Sequence, residues 1–151
     1  MEIRMFENKD ADRVKGLIIS ILSKEYPFDK SAYENSDLSD IGRVYGGKRD
    51  VFFVMESAGK IVGTVGVKED SKDTALVRRL FINPSYRRRG YGLLLLDKAV
   101  RLCKNRNFKH VVFRTTGRMS QAINLLKKMS FKEVEKIDLD DFRIYKFMLD
   151  L

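Results

Sequence analysis

The sequence predicts an α/β (α+β) fold, a mixed sheet with helices on its faces, and three observations predict it. Runs with helically spaced apolar residues alternate with short runs rich in β-branched and aromatic residues. Two strand-like runs, Val51 to Met55 and Ile61 to Val67, flank the turn Ala58-Gly59-Lys60 and read as a hairpin. A third ends at Asn83-Pro84, where proline supplies no ladder donor, and a helix opens beyond it on two glycines.

Taken in order, Glu2 to Phe6 alternates as a short strand. Asn8 or Asp10 is a cap for a helix over Ala11 to Lys24, whose apolar positions Val14, Leu17, Ile18, Ile21 and Leu22 share one face. Pro27 marks its end, and a short helix is expected near Leu38 to Tyr45. After the hairpin and the charged turn Glu69 to Asp73, Ala75 to Ile82 is the next strand. The helix from Gly90 to Arg106 has Leu93, Leu94, Leu96, Val100 and Cys103 as expected core positions. His110 to Thr115 is a strand, Arg118 to Met129 a helix, and Phe131 to Asp138 and Phe142 to Leu149 a closing pair of strands. The order is β-α-α-β-β-β-α-β-α-β-β. No linker, repeat or low-complexity segment interrupts it, so residues 1–151 read as a single domain.

Composition narrows the function. Cys103 is the one cysteine, which excludes an internal disulfide and a cysteine metal site and suits a reducing, cytoplasmic setting. No metal site is expected. The first residues, Met1 to Phe6, carry no signal-peptide run, and no apolar stretch approaches the ~20 residues of a membrane span. The net charge is +9, and all of the excess lies in residues 74–110, where ten Lys or Arg face one acid, Asp97. A localised excess points to one anionic ligand rather than to a general polyanion. A nucleic-acid module ranks last, because the basic segment lacks a platform of stacking aromatics.

That ligand site is expected in Leu80-Phe81-Ile82-Asn83-Pro84-Ser85-Tyr86-Arg87-Arg88-Arg89-Gly90-Tyr91-Gly92. Unpaired amides at a helix N-terminus and the helix dipole favour an anion. Glycine allows close backbone approach, and arginine adds paired donors. Together they describe a diphosphate cradle. A dinucleotide fingerprint would need glycine where Leu95 stands, and the Gly-Lys-Ser/Thr ending of a Walker loop is absent.

An arginine, two residues and Gly-x-Gly after a strand ending in x-Pro resembles the acetyl-CoA motif of the GNAT superfamily of N-acetyltransferases. Downstream, Ala122-Ile123-Asn124-Leu125-Leu126-Lys127-Lys128-Met129-Ser130-Phe131 resembles that family's second signature, and Met148 sits where its last strand often carries Met. The resemblance covers nearly the whole chain. It implies acetyl-CoA as acyl donor, with Leu80, Phe81 and Ile82 along the pantetheine arm. Arg87, Arg88, Arg89, Gly90, Tyr91 and Gly92 would lie at the diphosphate, and Asn124 and Lys127 would reach from the late helix. It also implies direct transfer of acetyl to an amine. The acceptor is read first as a small molecule, then as a protein or peptide, and a CoA-binding module without turnover is a further reading. A homodimer is the expected assembly.

Catalytic residues stay unassigned. Leu126 stands where many relatives carry the acidic Tyr, Leu76 where many carry a Glu, and Ser130 where the signature has Gly. Tyr91, Tyr145 or solvent is left to protonate the thiolate, and Glu56, Glu69 or water to take the amine proton. Phe28, Tyr33 and Tyr45 either line the acceptor pocket or pack the first helices. Glu34, Asp37 and Asp40 give that region a negative cast suited to a cationic amine. His110 and Cys103 read as structural.

Overall fold

The seven strands form one sheet in the order β1-β2-β3-β4-β5-β7-β6, built from β1 (Glu2–Met5), β2 (Val51–Ser57), β3 (Lys60–Glu69), β4 (Thr74–Ile82), β5 (His110–Thr116), β6 (Lys132–Asp138) and β7 (Arg143–Asp150). This computed structural model describes residues 1–32 and 35–151. The helices are α1 (Ala11–Glu25), α2 (Ile41–Val44), α3 (Tyr91–Asn105) and α4 (Ser120–Lys128), with short 3-10 turns between them. The mixed α/β architecture and element order are those expected, with bounds shifted by one to three residues.

Two apolar clusters hold the faces. On one side Val65, Val67, Ala75 and Val77 pack against Leu95, Leu96, Ala99 and Cys103 of α3 and Leu126 of α4. On the other, Val14, Ile18 and Leu22 of α1 and Ile41 of α2 cover Phe52, Val54 and Ile61. Leu93 and Leu94 depart from the expected core of α3: they are 36% and 49% exposed, and Leu95 is buried instead. In a run of four leucines the period cannot choose the buried phase; the direction from which α3 meets the sheet does.

Neither Asn8 nor Asp10 caps α1 through its side chain. Asp10 is instead fully buried, accepting hydrogen bonds from the Glu7 amide, Arg4 and Arg13. The turn Glu7 to Asp10 is a reciprocal capping box preceding the helix.

Two irregularities in β4 matter for the site. Its register with β3 jumps between Phe81↔Thr64 and Arg78↔Gly66, one residue more on β4 than on β3. Arg79 takes φ +57° there, and its carbonyl accepts from the Thr64 hydroxyl at 2.7 Å. The extra residue reverses the alternation, so Val77 and Leu80 both join the α3 cluster while Phe81 joins the α1 cluster. On the other edge, β4 pairs with β5 only from Thr74↔His110 to Leu76↔Val112. Beyond Leu76 the parallel strands part.

Candidate functional site

Two cavities occupy the gap where β4 and β5 part. The larger, about 480 Å³, has one wall from Leu80, Phe81 and Ile82 and another from Gln121, Ala122, Asn124, Leu125 and Lys128 of α4. Its floor is Tyr86, Arg87, Arg88, Gly90, Tyr91, Gly92 and Leu93, and α1 contributes Ile21 with Tyr26 just beyond it. The smaller, about 270 Å³, lies between Leu76–Phe81 of β4 and Phe113–Thr116 of β5. Leu80, Phe81, Met119 and Ala122 line both.

The loop has the features of an anion cradle. Gly90 takes φ +80° as the N-cap of α3 and Arg88 takes φ +62°, so the backbone around Arg89 curls tightly. Such alternation turns successive amides toward one point. No side chain caps α3, and Leu94 is the first amide to bond inside the helix, to the Gly90 carbonyl at 3.1 Å. A Cβ on Gly92 would come within 2.8 Å of Leu125 Cδ1, so a large side chain there would enter the cavity between α3 and α4. These residues fit a diphosphate followed by a long, mostly apolar arm.

The arginines divide. The Arg87 side chain forms a two-point ion pair with Glu25, at 2.6 and 2.8 Å, and donates to the Ile82 carbonyl, which ties the loop to the end of α1. Arg88 lines the cavity. Arg89 lies over the Tyr86 ring, 5.2 Å from its centroid, and outside the lining. Asn124 lines the cavity; Lys127 is exposed and outside it, and Lys128 occupies that wall one residue on.

On the acceptor side, Tyr45 is buried rather than in a cavity wall; its hydroxyl donates to Asp37 at 2.7 Å and its ring packs edge-on against Phe52. Burial first, and the nearby Asp37 charge, raise its phenol above the ordinary value. Phe28 is 75% exposed, with the Arg118 guanidinium over its ring. Tyr33 and Glu34 lie outside the described residues. Of the acids expected to give this region a negative cast, the two described ones are both paired. Asp37 is buried against Arg79 at 2.5 Å, and Asp40 pairs with Arg43 at 2.9 Å. Burial alone would raise the Asp37 carboxyl, but hydrogen bonds from Arg79 and Tyr45 outweigh it and hold it below its ordinary value. Asp29, fully buried, accepts from Thr116 at 2.8 Å and Arg118 at 2.5 Å, pinning the turn after α1 to the end of β5.

The proposed acids and bases fall unevenly. Glu56 bonds to Arg4 on the outer strands, Glu69 pairs with Arg49, and neither reaches a cavity. Tyr91 lines the larger cavity; Tyr145 packs beside Gly117 away from both. Leu126 is fully buried in the core. His110 is 2.7 Å from Asp150 at the start of β5. Burial pushes the Cys103 thiol up to about 12, so it offers no thiolate for an acyl-enzyme. Sequence reading missed Tyr26, Met119, Ala122 and Arg114, which reach the cavities from separate elements; only folding brings them to β4.

A seven-stranded mixed sheet whose parallel strands β4 and β5 part beside a helix opened by glycine is the architecture of the GNAT acetyltransferases it superposes on. The chain belongs to the acetyltransferase (GNAT) family, whose model matches residues 17–131. It is 30% identical over 127 residues to N-acetyltransferase family 8 member 3 of Rattus norvegicus, covering 78% of this chain and 55% of that one. It spans about half the length of the curated relatives it matches. Among solved structures, an acetyltransferase of the GNAT family from Staphylococcus aureus superposes with TM-score 0.83 at 22% identity, over 96% of each chain. A ribosomal-protein-alanine N-acetyltransferase from Brucella melitensis superposes with TM-score 0.84 at 12% identity, over 100% of each. These two likenesses concern the fold. No helix among the described residues is long and apolar enough to cross a membrane.

Proposed function

We propose that the chain is an acetyl-CoA-dependent N-acetyltransferase that passes an acetyl group to a primary amine of a small molecule by direct attack. The observation that carries this reading is the continuity of the two cavities. Leu80, Phe81, Met119 and Ala122 line both, so the cradle at residues 87–92 leads through the β4–β5 gap to the space over Arg78. Acetyl-CoA supplies an acyl group already activated as a thioester. In this reading the amides of residues 87–92, with Arg88 and Lys128, hold the diphosphate. The backbone of Phe81 and Ile82 holds the pantetheine arm, and Asn124 and Leu125 close the far wall.

Among the described residues no carboxylate or imidazole lines either cavity. In this reading the ammonium proton of the acceptor passes to solvent before attack. Two phenols, Tyr26 and Tyr91, stand in the larger wall to return a proton to the departing sulfur. Burial, helped by the Glu25 charge, raises the Tyr26 phenol, which keeps its proton at neutral pH. Holding amine and thioester together in the gap supplies much of the acceleration without a dedicated base.

The size of the acceptor follows from the two ties beside the smaller cavity, Asp29 to Thr116 and Arg118, and Asp37 to Arg79. They hold the segments after α1 down on the sheet, leaving about 270 Å³. A protein acceptor would need those segments to part.

The test is calorimetric titration with acetyl-CoA of wild type and Gly92→Trp. Micromolar binding to wild type, lost in the variant with its melting temperature retained, supports the reading. Absence of heat and of thermal shift with any acyl-CoA overturns it.

A further inference from the structure

The smaller cavity is lined by three arginines, Arg78, Arg79 and Arg114, and by no acid among the described residues. Arg79 is engaged by Asp37. Within the described residues the side chains of Arg78 and Arg114 make no hydrogen bond and no ion pair, their backbones alone joining the ladders at Gly66 and Lys146. The nearby acids among the described residues are committed elsewhere. Asp37 takes two hydrogen bonds from Arg79 and one from Tyr45, and Asp29 takes Thr116 and Arg118.

The sheet brings the two free guanidiniums to one side. Val111 and Phe113 of β5 pack in the α3 cluster, so Arg114 points to the opposite face, as does Thr116, which meets Asp29 under the segment after α1. The charge of Arg78 acts on Asp37 and Tyr45, which lie on that same face. The arrangement opposes like charges. Arg114 sits directly across from Lys146 of β7, and Glu135, beyond Lys146 on β6, makes no ion pair with either. Like charges facing each other across a strand pair destabilise it unless an anion lies between or beside them. Arginine presents a planar fork of donors matched to the two oxygens of a carboxylate.

We propose that the acceptor is an amino-carboxylate, a free amino acid or close analogue, whose carboxylate is held between Arg78 and Arg114 while its amine reaches the junction at Leu80, Phe81, Met119 and Ala122. This rests on the transferase reading above and specifies its substrate. A polyamine or other purely cationic amine would meet two unpaired positive charges. Anchoring one end of a small acceptor at these arginines also fixes which of its groups faces the thioester.

The experiment is thiol release from acetyl-CoA with matched acceptors, each L-amino acid beside its carboxamide and its decarboxylated amine. It uses wild type, Arg78→Gln, Arg114→Gln and the double variant, with acetyl-CoA binding by calorimetry confirming that each is folded. Wild type is expected to favour the acid. The acid-to-amide ratio in kcat/KM is expected to fall roughly tenfold or more in each variant, chiefly through KM, as a lost charged hydrogen bond implies. Comparing ratios between variants cancels the different amine pKa values. A ratio unchanged in the double variant overturns the inference. So does wild-type preference for amides, for plain amines or for acidic peptides over free amino acids. If acetyl-CoA binds wild type but no amino-carboxylate is acetylated, the substrate inference fails and the cofactor reading stands. Failure of acetyl-CoA to bind removes both.

Discussion

Ser130 occupies a position where a side chain is a disadvantage. α4 ends with the Ser130 amide bonded to the Lys127 carbonyl at 3.0 Å and the Phe131 amide to the Leu126 carbonyl at 2.9 Å. This pattern places Ser130 at the left-handed position of a Schellman cap, and its φ is +69°. Phe131 and Leu126 are buried, so the hydrophobic half of the cap is intact. The missing glycine of the second signature therefore bears on stability, with no group of Ser130 in a cavity wall. Ser130→Gly is expected to raise stability by about 1 kcal/mol, seen as a higher urea midpoint with unchanged slope and unchanged acetyl-CoA binding. α3 ends in the same way at Asn107, φ +65°, where asparagine tolerates the conformation better.

At the scale of elements, the bulge in β4 links the acceptor segment to the sheet. Without the extra residue Arg79 would not reach the α1 face, and the chain from 35 to 45 would lack its charged anchor. The pair is buried, each side chain about 5% exposed, so removing one partner leaves an uncompensated charge in the interior. Arg79→Met is expected to cost about 3–5 kcal/mol in chemical denaturation. Adding Asp37→Leu is expected to recover part of that loss, because it removes the stranded carboxylate. A cost below about 1 kcal/mol for the single variant would show that water reaches Asp37 and that the tie is weak. β6 shows the opposite design. It is an edge strand exposed at every position, carrying Lys132, Glu133, Glu135, Lys136 and Asp138 and a register shift between Glu133 and Glu135. Charges and a bulge on an open edge discourage pairing with another chain.

At the scale of the whole molecule, Asp10 ties the first strand to the first helix and to the hairpin. Its buried carboxylate receives Arg4 and Arg13, and Arg4 also reaches Glu56 on β2. The Arg4 hydrogen bond, acting against burial, lowers the Asp10 carboxyl to about 2, below its ordinary 3.8. A carboxylate with a depressed folded-state pKa contributes stability fully above its unfolded value and loses it as pH falls through the folded one. Wild type is therefore expected to lose on the order of 2 kcal/mol between about pH 4 and pH 2 from this group alone. Asp10→Asn is expected to be less stable at pH 7 and to show a flatter stability curve across that window. An identical acid slope in the variant would assign the acid loss to other carboxylates.

The order of elements and the strand-to-helix junction after β4 were legible in the sequence because both are local. Periodicity reports strands and helices, and Pro84, Gly90 and Gly92 mark a strand-to-helix junction through their own backbone chemistry. The localised basic charge was equally visible, but its uses were not. Arg87 binds Glu25, Arg79 binds Asp37, Arg106 donates to the carbonyls of Lys48 and Asp50, and the side chains of Arg78 and Arg114 are unpaired among the described residues. Those assignments depend on contacts between residues far apart in the chain, which composition and spacing do not encode. The phase of the leucine run in α3, the burial of Tyr45 and the pairing of Asp37 with Arg79 have the same cause. The sequence by itself determined the elements, the family signatures and the place of the glycine loop before α3. Only the tertiary structure decided which charges are paired within the fold and which are not, because ion pairs form between surfaces that meet only when the sheet is assembled.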